Sequence, residues 1–238
     1  MEQLDPKSVP KLDVRSVQCW IFDLDNTLYP AASNLFSRVS RRMTTFIQDV
    51  FSLSELEARA LQKRLFNEYG TTMRGLMIER DVDPEIFLHF VHDIDVSDMD
   101  PDPRLGGLIA RLPGRKIIFT NGSATHAERI TGQLGITEHF EDIFDIVAGN
   151  FVPKPDPRPY HEMVQRFQID PNKAVMIEDM AKNLRPAADL GMTTVWLRHH
   201  MKWSVDGAED GHVHHRILDL SDWLELIVGS NADTWPVS

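Results

Sequence analysis

Apolar positions change their period several times along this chain, and the changes divide it. Residues 1–16 are polar, hold two prolines and show no period, which predicts a loose arm. Val17–Phe22, ending in the apolar run Cys19-Trp20-Ile21-Phe22, predicts a buried strand. From about Ser33 to Asp95 the period becomes helical. Leu35, Val39, Met43, Phe46 and Ile47 recur at that spacing, as do Leu56, Ala60, Leu61 and Leu65. Ser54 with Glu57 three residues on has the form of a capping box, Gly70 marks a break, and Asp83-Pro84 opens a further helix.

The turn-formers Asp100-Pro101-Asp102-Pro103 separate this helical block from a different rhythm. Helices are expected at Leu105–Leu112, Thr125–Leu134, Pro157–Phe167, Leu184–Leu190 and Leu220–Ile227. Strands are expected at Lys116–Thr120, Ile143–Val147, Ala174–Ile177 and Thr193–Leu197. Such alternation implies an α/β fold with a parallel, doubly wound sheet of Rossmann-like form. The expected organisation is an arm (1–16), a core (17–32 and 98–238) and an inserted all-helical unit (33–97).

At 238 residues, 42% hydrophobic and 26% charged, the chain is ample for a buried core. Its net charge of −11 argues against a nucleic-acid polymer as partner, since that needs a basic stripe. No stretch approaches the ~20 apolar residues of a membrane span, and Met1–Pro6 lacks the regions of a signal peptide. One cysteine, Cys19, permits no internal disulfide and reads as a buried small hydrophobe, so the expected location is cytoplasmic, away from membranes.

In doubly wound sheets ligands bind beyond the carboxyl ends of the strands. Polar clusters stand there after four consecutive predicted strands: Asp23 and Asp25; Thr120-Asn121-Gly122-Ser123; Lys154 between two prolines; and Glu178-Asp179 with Asn183. Each has a plainer alternative. Asp23 to Thr27 could be a turn leaving the strand, Thr120 to Ser123 a helix cap, Lys154 a solvated loop lysine, and Glu178 a group facing a helix dipole. Together they fit phosphoryl transfer through an aspartyl-phosphate. Asp23 would attack phosphorus, with Mg²⁺ between Asp23 and Asp179 offsetting the charge repulsion. Thr120 and the neighbouring backbone N–H groups would hold phosphate oxygens, Lys154 would supply positive charge, and Asp25 would act as acid and base.

Phe22-Asp23-Leu24-Asp25-Asn26-Thr27-Leu28-Tyr29 resembles the first signature motif of the haloacid dehalogenase-like (HAD) hydrolase superfamily. Thr120-Asn121-Gly122, Lys154-Pro155 and Ile177-Glu178-Asp179 stand where its other motifs belong. The resemblance implies Asp23 as nucleophile and Asp25 as acid/base, with the Asp25 backbone carbonyl also touching the metal. It implies Thr120, with Asn121 and Gly122, as the phosphate-binding loop, Lys154 as stabilising charge, and Asp179 as a direct Mg²⁺ ligand. The fourth motif departs from the commoner acidic form, which puts Glu178 and Asn183 in the outer metal shell. It also implies that the helical insertion is a C1-type cap. Leu28-Tyr29-Pro30 and Tyr69-Gly70-Thr71-Thr72-Met73-Arg74-Gly75-Leu76 resemble the pyrimidine 5′-nucleotidase branch, with Arg74 near the substrate. Arg74 as a plain surface side chain is the alternative.

The expected activity is hydrolysis of a small phosphorylated metabolite, a pyrimidine nucleoside 5′-monophosphate first, by a monomer or homodimer. A sugar-phosphate phosphatase or phosphomutase, a dehalogenase, and a non-catalytic scaffold are the competitors. Asp25 and Asp179 weigh against the dehalogenase, and retention of all the acidic and basic positions weighs against the scaffold. His199, His200, His212, His214 and His215 lack an accompanying ligand pattern and are expected to be surface residues.

Overall fold

The computed structural model describes residues 12–199 and 204–229. Its centre is a sheet of six parallel strands: β1 Cys19–Phe22, β2 Arg115–Phe119, β3 Asp142–Phe144, β4 Ala174–Glu178, β5 Thr193–Leu197 and β6 His215–Ile217, in the order β3-β2-β1-β4-β5-β6. β1 lies in the middle, with Phe22 paired to Ile118 on one side and Ile177 on the other. The order reverses around β1, and that is where a crevice opens at the strands' carboxyl ends.

Between β1 and β2 come α1 Leu35–Phe51, α2 Glu55–Tyr69, α3 Thr72–Arg80 and α4 Pro84–His92. The remaining helices are α5 Pro103–Ala110, α6 Ala124–Leu134, α7 Pro157–Phe167, α8 Arg185–Asp189 and α9 Leu220–Gly229. Alternate strand residues face opposite layers. Trp20, Phe22, Ile118, Val175, Ile177 and Val195 pack with α5, α6 and α9. Ile21, Ile117, Phe119, Met176 and Trp196 pack with α7 and α8. The sheet is thus covered on both faces, which explains why its strands are apolar runs rather than alternating ones.

Local chemistry sets the helix ends. Ser54 and Glu57 form the reciprocal capping box, and Asp83 caps α4 with Pro84 at its first position. Asp102 accepts from Leu105 N at 2.9 Å, so α5 begins at Pro103, earlier than the sequence predicts. Cys19 is buried and its thiol is pushed up to about 11 by burial, as expected of a buried small hydrophobe.

Several expectations need correction. The arm is expected to run to residue 16, yet Val14–Ser16 is a 3₁₀ turn with Val14 wholly buried; residues 1–11 lie outside the described range. On α2, Leu56 is 80% exposed and Ala60 is exposed, while Ala58, Leu61 and Leu65 face the neighbouring helices. The strand expected at Ile143–Val147 stops at Phe144, because Asp145 turns the chain by accepting from Ala124 N and Ala148 N. β6 is an additional edge strand. His212 and His215 are buried, not on the surface: His212 Nε2 bonds the Ala181 carbonyl, and the His215 ring lies against Trp223. His200 lies outside the described residues. Among the described residues no helix is long and apolar enough to cross a membrane.

Candidate active site

Asp23 is the first residue beyond β1, and its N–H continues the ladder to the Ile177 carbonyl at 2.9 Å. The chain then turns: Thr27 N and Leu28 N both bond the Leu24 carbonyl, and Asn26 takes a left-handed conformation at φ 61°. The turn puts Asp25 in the same cleft as Asp23. Asp23 Oδ2 accepts from the Thr27 hydroxyl at 2.9 Å, and Oδ1 from Lys154 Nζ at 2.7 Å.

Lys154 is 2% exposed and reaches the site from the loop between β3 and α7. Its ammonium also donates to Glu178 Oε2 and to the Phe119 carbonyl, each at 2.8 Å, so all three protons are used. The backbone behind it is fixed by Lys154 N donating to Asn121 Oδ1 at 2.8 Å. Burial pushes this ammonium toward neutrality, but the Asp23 and Glu178 carboxylates outweigh that and hold its pKa above the ordinary lysine value. Burial, and then the Glu178 carboxylate, push the Asp23 carboxyl up. The same two causes raise Asp179 well above the carboxylate range.

Oxygens of Asp23, Glu178 and Asp179 lie within 4.8 Å of one another, the only such acidic or His/Cys group among the described residues. Both Glu178 oxygens are occupied, Oε2 by Lys154 and Oε1 by Asn183 Nδ2 at 2.8 Å. Asp179 Oδ2 and Asn183 Oδ1 are buried acceptors with no hydrogen-bond donor, in residues that line the cleft. Hard oxygen acceptors, unsatisfied and crowded by like charge, fit a divalent cation such as Mg²⁺. Asp23 and Asp179 would hold it, with Asn183 beside them. Glu178 serves first as the counter-charge to Lys154.

The cleft above these residues measures about 790 Å³. Its floor is Asp23, Asp25, Asn121, Gly122, Lys154, Asp179 and Asn183, and its opposite wall comes from α1, α2, α4 and the α2–α3 turn. A family model for haloacid dehalogenase-like hydrolases matches residues 17–191. The chain belongs to that family. It is 28% identical to phosphate metabolism protein 8 of Saccharomyces cerevisiae, over 95% of this chain and 70% of that protein. It is 25% identical to glyceraldehyde 3-phosphate phosphatase of Methanopyrus kandleri, over 83% of this chain and 91% of that one. Two solved structures share the fold. A HAD phosphatase from Thermococcus onnurineus has TM-score 0.58 and 18% identity, covering 90% of this chain and 98% of its own. L-2-haloacid dehalogenase from Xanthobacter autotrophicus has TM-score 0.56 and 14% identity, covering 90% and 99%.

Within this HAD-like hydrolase two expected residues stand apart from the cleft lining. Thr120 is buried, its hydroxyl accepting from Gly122 N at 2.9 Å, so it shapes the loop whose Asn121 and Gly122 line the cleft. Arg74 is absent from the lining; its positive charge acts on Asp156, and Thr71, Thr72 and Met73 of the same segment face the cleft instead.

Three side chains at the site are ones that the sequence alone does not single out. The Tyr29 hydroxyl donates to Asp25 Oδ1 at 2.5 Å, and His126 Nε2 meets the same oxygen at 3.2 Å. Burial pushes the Asp25 carboxyl up, but the His126 charge and the hydrogen bonds from His126 and Tyr29 outweigh it and hold it low. His92, at the end of α4, stacks on His126; burial, and then His126, hold its pKa down to about 3. Tyr29 closes the first motif and His126 lies in the first turn of the helix after the second, the signals that could have drawn notice.

Proposed function

We propose that this protein is a Mg²⁺-dependent phosphatase that hydrolyses a small phosphorylated metabolite through an aspartyl-phosphate on Asp23. Membership of the hydrolase family and the two phosphate-metabolism relatives support a phosphoric monoester hydrolase. The observation that carries the reading is Lys154, buried and clamped between Asp23 and Glu178, with Asp25 two residues along in the same cleft. A dehalogenation would need no second carboxyl group poised as an acid; release of an alkoxide from phosphorus does.

In the first step a carboxylate oxygen of Asp23 bonds to phosphorus as the bond to the leaving oxygen breaks; Asp25, whose carboxyl is held low beforehand, takes up a proton from solvent as the phosphate anion enters the cleft and gives it to that oxygen. In the second, Asp25 takes a proton from water as the water attacks phosphorus and the Asp23–phosphorus bond breaks. Lys154 keeps its charge beside Asp23 throughout, and Asn121 and Gly122 line the cleft beside the phosphate. Magnesium, when bound by Asp23, Asp179 and the Asp25 carbonyl, supplies charge neutralisation for an anion approaching three buried carboxylates. Glu178 and Asn183 hold that shell in place.

The helical insertion reads as a C1-type cap, and the first-motif and α3 sequences favour a pyrimidine nucleoside 5′-monophosphate as substrate. The test is phosphate release from a panel of nucleotides and sugar phosphates, with Mg²⁺ and with EDTA. Release that EDTA abolishes, highest for UMP and CMP, is the expected result. Metal-dependent release from other phosphates would keep the phosphatase and remove the nucleotide; none from any substrate, with the protein folded, would overturn the reading.

A further inference from the structure

Both donors that reach Asp25 land on one oxygen. The Tyr29 hydroxyl and His126 Nε2 meet Oδ1 at 2.5 and 3.2 Å. Oδ2 is left to the cleft side, above Gly122, where a Cβ added to that glycine would stand 3.7 Å from it. The carboxyl group is therefore held by one oxygen and presented by the other.

His126 itself is poorly explained by stability. It is 1% exposed, and its Nδ1 has no hydrogen-bond partner. A buried polar atom without a partner is destabilising, because it has given up water and gained nothing. An apolar side chain of similar size would fill this space without that cost. The ring is also braced from outside its own helix. His92 of the insertion lies against it with centroids 4.2 Å apart and planes 11° from parallel. His92 Nδ1 is 2.9 Å from the hydroxyl of Ser123, the residue that caps α6. The return from α4 to the core is pinned nearby, Arg129 donating to the carbonyls of His92 and Ile94 at 2.8 and 2.5 Å. Movement of the imidazole off Asp25 toward the insertion would run into the His92 ring.

We propose that His126 is a positioning residue for the acid–base step. It fixes Asp25 Oδ1, with Tyr29, so that Oδ2 passes the proton first to the leaving oxygen and then receives one from water. The inference rests on the phosphatase reading and adds to it a group that does not touch the substrate.

Two variants separate positioning from packing. In His126→Gln the amide nitrogen reaches about as far as Nε2; in His126→Asn it falls short by one methylene. kcat/KM covers only the steps up to departure of the leaving group, so it is measured for the alkyl phosphate of the panel that the wild type hydrolyses best, UMP as expected, whose alkoxide needs a proton, and for p-nitrophenyl phosphate, whose phenolate does not. His126→Asn should lose about 10²-fold on the alkyl ester, with less than about threefold on p-nitrophenyl phosphate, and His126→Gln should recover most of the loss. If His126→Asn does not fold, His126→Leu takes its place against His126→Gln. Equal losses on both esters, or no recovery in His126→Gln, would make His126 a packing residue and overturn the proposal. An unchanged rate would overturn it too. A wild-type protein that releases phosphate from no member of the nucleotide and sugar-phosphate panel would instead overturn the phosphatase reading, and this proposal with it.

Discussion

Lys154 is the hinge of the site's electrostatics, because one ammonium is shared by two buried carboxylates that would otherwise face each other. Lys154→Met is therefore expected to cost about 3–5 kcal/mol, since it leaves uncompensated charge in the interior. Asp23→Asn should behave oppositely. It leaves the Lys154–Glu178 pair intact and removes one of three crowded carboxylates, so stability should be equal to or above wild type while turnover disappears. Urea denaturation of the two variants beside phosphate release checks both halves; turnover retained by Asp23→Asn would sink the covalent mechanism. Asp23, Asp25 and Asp179 are legible in the sequence because charge just after an apolar strand has few structural reasons to be there; Lys154, in the loop between β3 and α7, is legible only as one of the set. His92 and His126 are not. A histidine on a helix reads alike whether exposed or buried, and their stacking depends on how α4 returns to the core, which no periodicity encodes.

At the scale of elements, the insertion is held by a close approach. A Cβ added at Gly75 on α3 would lie 2.7 Å from Leu65 Cβ and 2.9 Å from the Tyr69 ring. In an exposed helix Gly→Ala would gain about 1 kcal/mol. Here overpacking should outweigh it, and Gly75→Ala is expected to destabilise by about 1–3 kcal/mol in thermal or denaturant unfolding. A stabilised variant would show that α3 can move off α2 freely. The periodic pattern places helices through this region but misjudges α2, where Leu56 is apolar in type yet sits on the outer face. It also passes over β6, a three-residue edge strand with Arg216 at its centre that pairs with β5 alone. Short edge strands lack the apolar run that buried ones need on both faces.

The whole molecule carries a net charge of −11, which should repel a phosphorylated substrate. The cleft wall contributed by the insertion has the other sign: Arg41, Arg59 and Lys63 line it, and no acidic side chain among the described residues of the insertion does. Ser37, Ser40, Arg41 and Thr44 on α1 line it with Arg59, Gln62 and Lys63 on α2, two polar stripes at helical spacing joined through Gln62, which accepts from the Thr44 hydroxyl and donates to that of Ser40. If this local field governs capture, kcat/KM falls as salt rises, because screening removes an attraction. Replacing Arg41 and Lys63 together by Ala leaves the global repulsion in charge, so kcat/KM should then rise with salt. A stopped-flow or steady-state salt series on both proteins tests the sign; a wild-type rate that rises with salt would show that the wall does not steer.

The loop after β4 is gripped through its main chain. The Trp196 indole and the Ser204 hydroxyl both donate to the Asp179 carbonyl, and the Tyr160 hydroxyl donates to the Asn183 carbonyl. Every peptide has a carbonyl whatever side chain it bears, so these anchors are indifferent to what stands at 179 and 183. The position of the loop and the chemistry it carries can thus change separately. Asn183→Asp would keep the main-chain anchor and place its whole cost in the side chain, where the hydrogen bond to Glu178 becomes a contact between two buried carboxylates. The fold offers natural variation a set of sockets whose contents are exchangeable.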